Sequence, residues 1–314
     1  MTFAEQRSEP PAPIAASISG RQPLAVAAIL GAAICWSFIG VAYELLLNEY
    51  TVDPVALVAL RATSATAALL GFLILKRRTR QLRSLFTKRL VFATLCIGLV
   101  STTGFFIALI YAFELAGVAV GTVLLYLAPS LVALGAWLFF SERLTRRQGI
   151  ALGCALVGVV GVSGLLNDAG SVQLGGLALG LASAAGYASY SLFGHHLLQH
   201  APGVVVLTAS LGLGALGLWT VQLAVFGPDL PEPWAIFWIV TVTGFGTTLA
   251  PMLLYTYGLS LVGPARAILV ATLEPVLAIV WAFLILGETL SAPQLAGGAL
   301  VIASIVVANA ARHH

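Results

Sequence analysis

Long apolar segments constrain this chain more than any other feature. Ten runs of mainly apolar residues follow one another along its 314 residues. A helix of about 20 such residues, rising 1.5 Å per residue, crosses a hydrocarbon core of roughly 30 Å. The sequence therefore predicts an all-α integral membrane protein with ten transmembrane helices. The predicted spans are 24–46, 55–75, 90–112, 118–140, 148–166, 175–197, 203–226, 234–258, 265–286 and 292–310.

Composition excludes a soluble globular protein. Apolar residues make up 60% of the chain, charged residues only 9%, and the mean hydropathy is +1.01. Residues 1–22 are polar and Pro-rich and lack the short apolar stretch of a signal peptide, so we expect a disordered cytoplasmic tail. The three cysteines fall inside predicted spans, without the spacing of a metal site. We predict neither a metal nor a cofactor.

The distribution of charge predicts the orientation. If the N-terminus is cytoplasmic, 14 of the 15 basic residues lie on the cytoplasmic side, and the exception is Arg61 in the second span. The positive-inside rule then predicts a multi-pass protein of the inner (plasma) membrane with both termini cytoplasmic. The basic loop KRRTRQLRSLFTKR is interpreted as a topology signal beside anionic lipid and not as a nucleic-acid interface. The partners expected are the lipid bilayer and a small-molecule substrate.

The chain also carries an internal repeat. Residues 111–148 align without gaps over 257–294 at a constant offset of 146, so that Pro129 matches Pro275 and Glu142 matches Glu288. The repeat predicts two five-helix halves, 24–166 and 175–310. Because five is odd, the second half enters the membrane with the opposite orientation. Inverted repeats of this kind are typical of secondary transporters that work by alternating access.

These motifs resemble those of a known family. Each half has a Pro followed by a Glu and a Gln, Leu-Glu-Pro stands at 273–275, and Arg61 lies in the second helix. Together they resemble the EamA-type members of the drug/metabolite transporter superfamily. The resemblance covers about 24–310 and implies efflux of small metabolites, amino acids or drugs across the inner membrane. One departure is GYASY at 186–190, where the family often has Trp-Ala.

Two charges within predicted spans are candidates for the substrate pathway. Glu274 lies near the middle of the ninth span, where a charged side chain costs about 2.5–3.5 kcal/mol. It is either a structural carboxylate or a group that contacts substrate or carries a coupling proton. Arg61 is its obvious countercharge, and the alternative is an arginine that bonds backbone carbonyls to pack helices.

Prolines and aromatic residues complete the predicted pathway. Pro129 and Pro275 each remove a backbone donor, and such breaks are tolerated where a helix lines a cavity. A tyrosine hydroxyl inside a span needs a polar partner. The predicted lining residues, for an amphipathic or aromatic metabolite, are Trp36, Tyr126, Tyr187 and Tyr190.

An intramembrane enzyme and a non-transporting receptor or scaffold are the alternative classes of function. GVSG at 161–164 resembles the motif of intramembrane serine proteases, but His195 and His196 fall at the opposite membrane face from Ser163. Since no span contains Asp and no HExxH motif occurs, no catalytic residues are predicted and the chain is not expected to be an enzyme. A non-transporting receptor or scaffold is the other alternative. Small-xxx-small motifs fit a monomer or a weak homodimer.

Overall fold

The computed structural model of the chain describes residues 22–125, 127–128, 131, 146, 149–150, 153–154, 157–158, 161, 173–262, 270–271 and 273–309. Within these ranges every regular element is helical. Two predicted pathway residues, Tyr126 and Pro129, lie outside the described residues.

The described α-helices follow the predicted spans. They are α1 (Gln22–Ser37), α2 (Ile39–Glu49), α3 (Pro54–Leu75), α4 (Val91–Leu95), α5 (Phe105–Ala116), α6 (Val118–Leu125), α7 (Leu174–Leu198), α8 (Gly203–Val221), α9 (Pro233–Trp238), α10 (Ala250–Val262), α11 (Leu273–Trp281) and α12 (Ala292–Asn309). A 3₁₀ helix occupies Thr79–Phe86. Wider π-helical segments adjoin several helices, at Cys96–Gly104, Gln222–Phe226, Ile239–Leu249 and Ala282–Leu286.

Five helical stretches among the described residues are long and apolar enough to cross a membrane, and the first of them includes the turn residue Phe38. They are Pro23–Glu49, Pro54–Leu75, Val91–Ala116, Gly203–Phe226 and Pro233–Gly258. Shorter apolar helices occur at Val276–Leu286 and Ala292–Ser304, and α7 has 25 residues. The prediction of an all-helical membrane protein is confirmed at this level, whereas the count of ten spans stays a prediction.

The first span is divided, which the sequence did not predict. We expected one unbroken helix over 24–46, but Phe38 separates α1 from α2. The Ser37 hydroxyl donates to the Ile34 carbonyl at 2.8 Å and competes with the backbone ladder at this point. Just after the break, Gly40 lies against Val118, where a Cβ would collide with the valine side chain. The break therefore coincides with a close helix contact.

Two π-helical segments occupy matching places in the chain. In Cys96–Gly104 the Thr102 hydroxyl donates to the carbonyl of Ile97 at 2.8 Å. In Ile239–Leu249 the Thr248 hydroxyl donates to the carbonyl of Thr243 at 2.7 Å. Each bond spans five residues, which fits the wider turn. The two threonines are 146 positions apart, the same offset as the sequence repeat.

Helix crossings next to these segments also match. α8 packs on Cys96–Gly104, and α3 packs on Ile239–Leu249. At the first crossing a Cβ on Gly98 would collide with Leu213, and at the second a Cβ on Gly244 would collide with Ser64. The glycines are 146 positions apart and their neighbours 149. Small residues thus allow close approach at both crossings.

Candidate substrate site within the membrane

Arg61 lies in a closed polar cluster between helices. Only 3% of the residue is exposed. Its Nε donates to the hydroxyl of Thr248, and its Nη1 donates to the hydroxyl of Tyr43. The guanidinium carbon stands 4.4 Å from the ring centroid of Phe106 and 5.6 Å from that of Tyr43, within the range of cation–π attraction. Four separate segments of the chain therefore meet around one cation.

The local irregularities of the fold position these partners. Tyr43 belongs to α2, which starts after the break at Phe38, and Thr248 belongs to the π-helical segment Ile239–Leu249. Thr248 is fully buried, and its hydroxyl accepts from Arg61 while donating to the carbonyl of Thr243. Sequence analysis predicted Arg61 but neither Tyr43 nor Thr248 as its partner.

The partners of Arg61 are neutral. Within the described part of the chain, no carboxylate forms an ion pair with this guanidinium; its hydrogen bonds go to two hydroxyl groups. A buried ion without a countercharge carries a desolvation cost of several kcal/mol, and hydroxyl groups with aromatic faces offset only part of it. An arginine in this state is chemically suited to bind an anion. A carboxylate fits best, because it can accept two parallel N–H hydrogen bonds from one guanidinium.

Glu274 lies in a second cluster, made of aromatic residues. Tyr187 is close enough to interact electrostatically with Glu274, Tyr190 and Tyr255. Tyr255 in turn interacts with Glu274, and its ring stands 5.2 Å from that of Trp36 at an interplanar angle of 52°. Of the predicted aromatic residues, Tyr187 interacts electrostatically with Glu274, whereas Trp36 and Tyr190 are linked to it through Tyr255.

Tyr255 is the residue of this cluster that sequence analysis did not single out. It lies on α10 and joins the Trp36 ring to the neighbourhood of Glu274. The available signal was its position inside the eighth predicted span, where a phenol needs a polar partner. That signal was equally strong for other tyrosines, so the sequence could not rank it.

The two charges have separate neighbourhoods. The predicted ion pair between Arg61 and Glu274 is not among the contacts that the described residues make; Arg61 bonds to Tyr43 and Thr248 instead. Both charged groups are thus associated with hydroxyl and aromatic groups. A carboxylate among aromatic faces can bind a cation, and a guanidinium among hydroxyls can bind an anion.

A cavity of about 260 Å³ lies next to the Arg61 cluster. It is mainly apolar, and Thr247, the neighbour of Thr248, contributes to its wall. Beside it the Trp281 indole donates to the Ser37 hydroxyl at 3.1 Å, which links α11 to the end of α1. Its lining residues are Ile34, Cys35, Phe38, Val242, Gly246, Thr247 and Trp281.

Other predicted residues have simpler outcomes. Pro275 is the third residue of α11, and position 272 lies outside the described residues, so a break at this depth stays a prediction. Ser163 of the protease-like motif also lies outside them. The rings of His196 and His200, near the end of α7, are tilted relative to each other, with centroids 5.0 Å apart. Over the described ranges, no group of three or more His, Cys, Asp or Glu could hold a metal ion.

Two residues that carried the family resemblance have structural roles here. The amide of Val118, the first residue of α6, donates to Oε1 of Glu288 at 3.0 Å. Gly117 makes this possible: its φ of +82° turns the chain between α5 and α6, and its Cα faces the Glu288 carboxylate. Gln294 accepts from both the amide and the hydroxyl of Ser291 at 2.9 Å, which caps the start of α12.

Comparison with known proteins identifies the family of the chain. The model of the EamA-like transporter family matches residues 23–164 and again 174–310. An uncharacterized transporter of Archaeoglobus fulgidus is 30% identical over 66% of this chain and 72% of its own length. A probable amino-acid metabolite efflux pump of Salmonella typhimurium is 28% identical over 56% of this chain and 62% of its own length.

A solved crystal structure has the same fold. It superposes with a TM-score of 0.62 at 22% sequence identity, over 91% of this chain and 96% of the other. The family that matches this chain and the two relatives named above are described as transporters and not as enzymes. The resemblance in the motifs is confirmed: the chain belongs to the EamA-like transporter family.

Proposed function

We propose that the protein is a secondary transporter that exports small metabolites, such as amino acids, by alternating access around a cavity near the membrane midplane. The halves 24–166 and 175–310 would be inverted copies that rock against each other. Two findings support this: the family model matches the chain twice, and Thr102 and Thr248, which are separated by the repeat offset of 146, both contact the neighbouring helix at their crossings. The Salmonella relative bears a name that fits such a substrate.

One observation carries the proposal: the aromatic cluster around Glu274. Tyr187 and Tyr255 interact electrostatically with this carboxylate, and Trp36 lies against Tyr255. A charged group within a predicted membrane span is costly unless it has a use. An ammonium group fits this cluster, because a carboxylate attracts it directly and aromatic faces attract it through their quadrupoles. The carboxylate of the same class of substrate would bind Arg61, whose described partners are neutral. The two clusters would bind the two charged ends of one zwitterion at the same time, or they would bind it one after the other during transport.

Glu274 is also the proposed carrier of a coupling proton. A carboxylate that alternately binds an ammonium group and a proton would exchange one for the other across the membrane. This mechanism requires only that the two ligands compete for one carboxylate.

Flux measurements in proteoliposomes test the function. The full chain would be reconstituted and supplied with a panel of radiolabelled amino acids, with and without an imposed pH gradient. We expect saturable transport of some members, accelerated by the gradient. Glu44→Gln serves as a matched control, because Glu44 is a carboxylate on α2 whose described hydrogen bond goes to the exposed Asn48. No saturable flux of any member would contradict the proposal.

The proposed orientation places both termini in the cytoplasm and the protein in the inner membrane. Cysteines introduced at Asp229 should react with an impermeant thiol reagent in intact cells, whereas one at Arg83 should react only after permeabilisation. Labelling of the cysteine at position 83 in intact cells would contradict the proposed orientation but would leave the transport proposal unaffected.

A further inference from the structure

A strongly basic segment connects α3 to α4. Seven Lys or Arg residues lie between positions 76 and 89, and the sequence has no Asp or Glu from position 54 to position 113. The charge of the segment is therefore not neutralised by its own neighbours in the chain. Such a basic segment attracts anions.

The segment is fixed against the helices. At the end of α3, Arg77 adopts a left-handed conformation with φ of 54°, and the amide of Arg78 donates to the carbonyl of Leu73 at 2.8 Å. Leu85 is completely buried in a cluster with Leu73, and its carbonyl accepts from the Thr94 hydroxyl at 2.9 Å. The basic side chains consequently extend from an anchored backbone.

The 3₁₀ geometry of Thr79–Phe86 aligns two arginines. Side chains three residues apart eclipse each other in a 3₁₀ helix. Leu82 and Leu85 therefore share the edge that packs toward the protein, while Arg80 and Arg83 share an exposed edge. These two arginines line a polar hollow of about 480 Å³ together with Thr79. Two arginines and one threonine thus border one space.

Along the chain the basic segment contains and is flanked by exposed apolar residues, which we call the apolar collar. Phe86 continues the edge of the two arginines at the same spacing of three and is 48% exposed. The last residue of α3, Leu75, is 83% exposed, and Phe92 at the start of α4 is 68% exposed. Side chains of this kind at the ends of membrane helices face acyl chains. The ligand that fits both parts has an anionic head and apolar tails.

We propose that the hollow lined by Thr79, Arg80 and Arg83 binds the phosphate of an anionic phospholipid in the adjacent leaflet. The planar forks of the arginines match phosphate oxygens with paired hydrogen bonds, and the threonine hydroxyl donates another. The acyl chains of the lipid would lie along Leu75 and Phe92. The collar distinguishes this site from one for a soluble anion, which has no apolar part to place there.

Native mass spectrometry of the full-length protein would test the site. The probe is phosphatidylglycerol, added together with an equal amount of phosphatidylcholine. We expect the protein to retain phosphatidylglycerol preferentially. The double variant Arg80→Gln/Arg83→Gln should lower this preference at least about tenfold, because it removes the charge-assisted hydrogen bonds to phosphate. The matched control Lys88→Gln/Arg89→Gln removes the same charge outside the hollow and should change the preference less than about threefold.

Each alternative outcome decides against the site. Equal losses in the two double variants would mean diffuse attraction to the whole loop. Displacement of the retained lipid by excess inorganic phosphate would assign the hollow to soluble anions. If the Gln variant does not fold, Arg80→Lys/Arg83→Lys replaces it: the charge remains but the paired geometry is lost, so an unchanged preference would also overturn the proposal.

Discussion

Two helix crossings in this molecule have matching backbones but different chemistry. Where α3 crosses Ile239–Leu249, Arg61 bonds to the hydroxyl of Thr248. Where α8 crosses Cys96–Gly104, Ser210 lies 2.9 Å from the hydroxyl of Thr102 and donates to the carbonyl of Ile97 at 3.1 Å. Arg61 and Ser210 are 149 positions apart, the separation already found for the neighbours of the two glycines. One crossing contains a cation where the other contains a small hydroxyl.

The difference between Arg61 and Ser210 distinguishes what helix packing requires from what substrate binding requires. The α8 crossing shows that a serine satisfies the threonine hydroxyl and the wide-turn carbonyl without any charge. The charge of Arg61 is therefore more than the crossing requires for its packing, and it carries a desolvation cost in the membrane. A costly group that packing does not need is a candidate for binding substrate.

The largest expected effect comes from making the crossings alike. Arg61→Ser copies the chemistry of Ser210 and should leave the protein folded while lowering amino-acid flux at least about 100-fold, the effect of losing a buried charge-assisted bond to substrate. Flux in proteoliposomes and Tm measure the two consequences separately. Arg61→Lys, which keeps the charge but not the fork, should retain part of the activity. Normal flux in Arg61→Ser would make Arg61 a packing residue only.

A second effect distinguishes the two charged clusters. Glu274→Gln keeps the shape of the side chain but can neither release a proton nor supply a negative charge to the substrate ammonium, so uptake driven by a pH gradient should fall at least about 30-fold. Exchange of substrate on both sides should fall less, because it needs no proton release and the amide oxygen still accepts a hydrogen bond from the ammonium. Arg61→Ser should reduce driven uptake and exchange alike. If Glu274→Gln retained full gradient-driven uptake, Glu274 would not carry the coupling proton.

How far the sequence predicts this molecule depends on whether a property is local. The apolar run 55–75 predicted α3 (Pro54–Leu75) to within one residue. The break at Phe38 is not encoded in the apolar pattern around it, and it coincides with a close contact between Gly40 and Val118 from a helix far along the chain. The neighbours of Glu274 were predicted in part, since buried tyrosines need polar partners.

The partner of Arg61 shows the same limit more sharply. Arg61 and Thr248 are 187 positions apart, and Thr248 reaches the guanidinium from a wide helical turn. The residues next to Arg61 and Thr248 in the chain do not indicate that the two side chains form a hydrogen bond. The sequence therefore predicts Glu274, the opposite charge within a span, as the partner of Arg61. The structure instead brings the Thr248 hydroxyl to the guanidinium.

Adding a methyl group to the two crossing glycines should give unequal effects. A Cβ on Gly98 would collide with the Cβ of Leu213, which is fixed to its backbone, whereas a Cβ on Gly244 would collide with the Oγ of Ser64, which can rotate away. We expect Gly98→Ala to lower the free energy of unfolding by about 1–3 kcal/mol and Gly244→Ala by less. Thermal unfolding in detergent would measure both. Equal losses would mean that the crossings are equally rigid.

The smallest effect should come from Ser210, the uncharged counterpart of Arg61. Ser210→Ala removes the hydroxyl that lies beside Thr102 and donates to the Ile97 carbonyl, but Thr102 also donates to that carbonyl. Because the carbonyl keeps one donor, the loss should be about 1 kcal/mol in the free energy of unfolding, the net value of one hydrogen bond. Flux should stay within about twofold of the original, since no charge is involved. Ser210→Thr, which retains a hydroxyl, is the matched control for the stability change. A loss of flux in Ser210→Ala as large as that in Arg61→Ser would mean that the two crossings act together as moving contacts, and the assignment of Arg61 to a substrate carboxylate would then lose its main support.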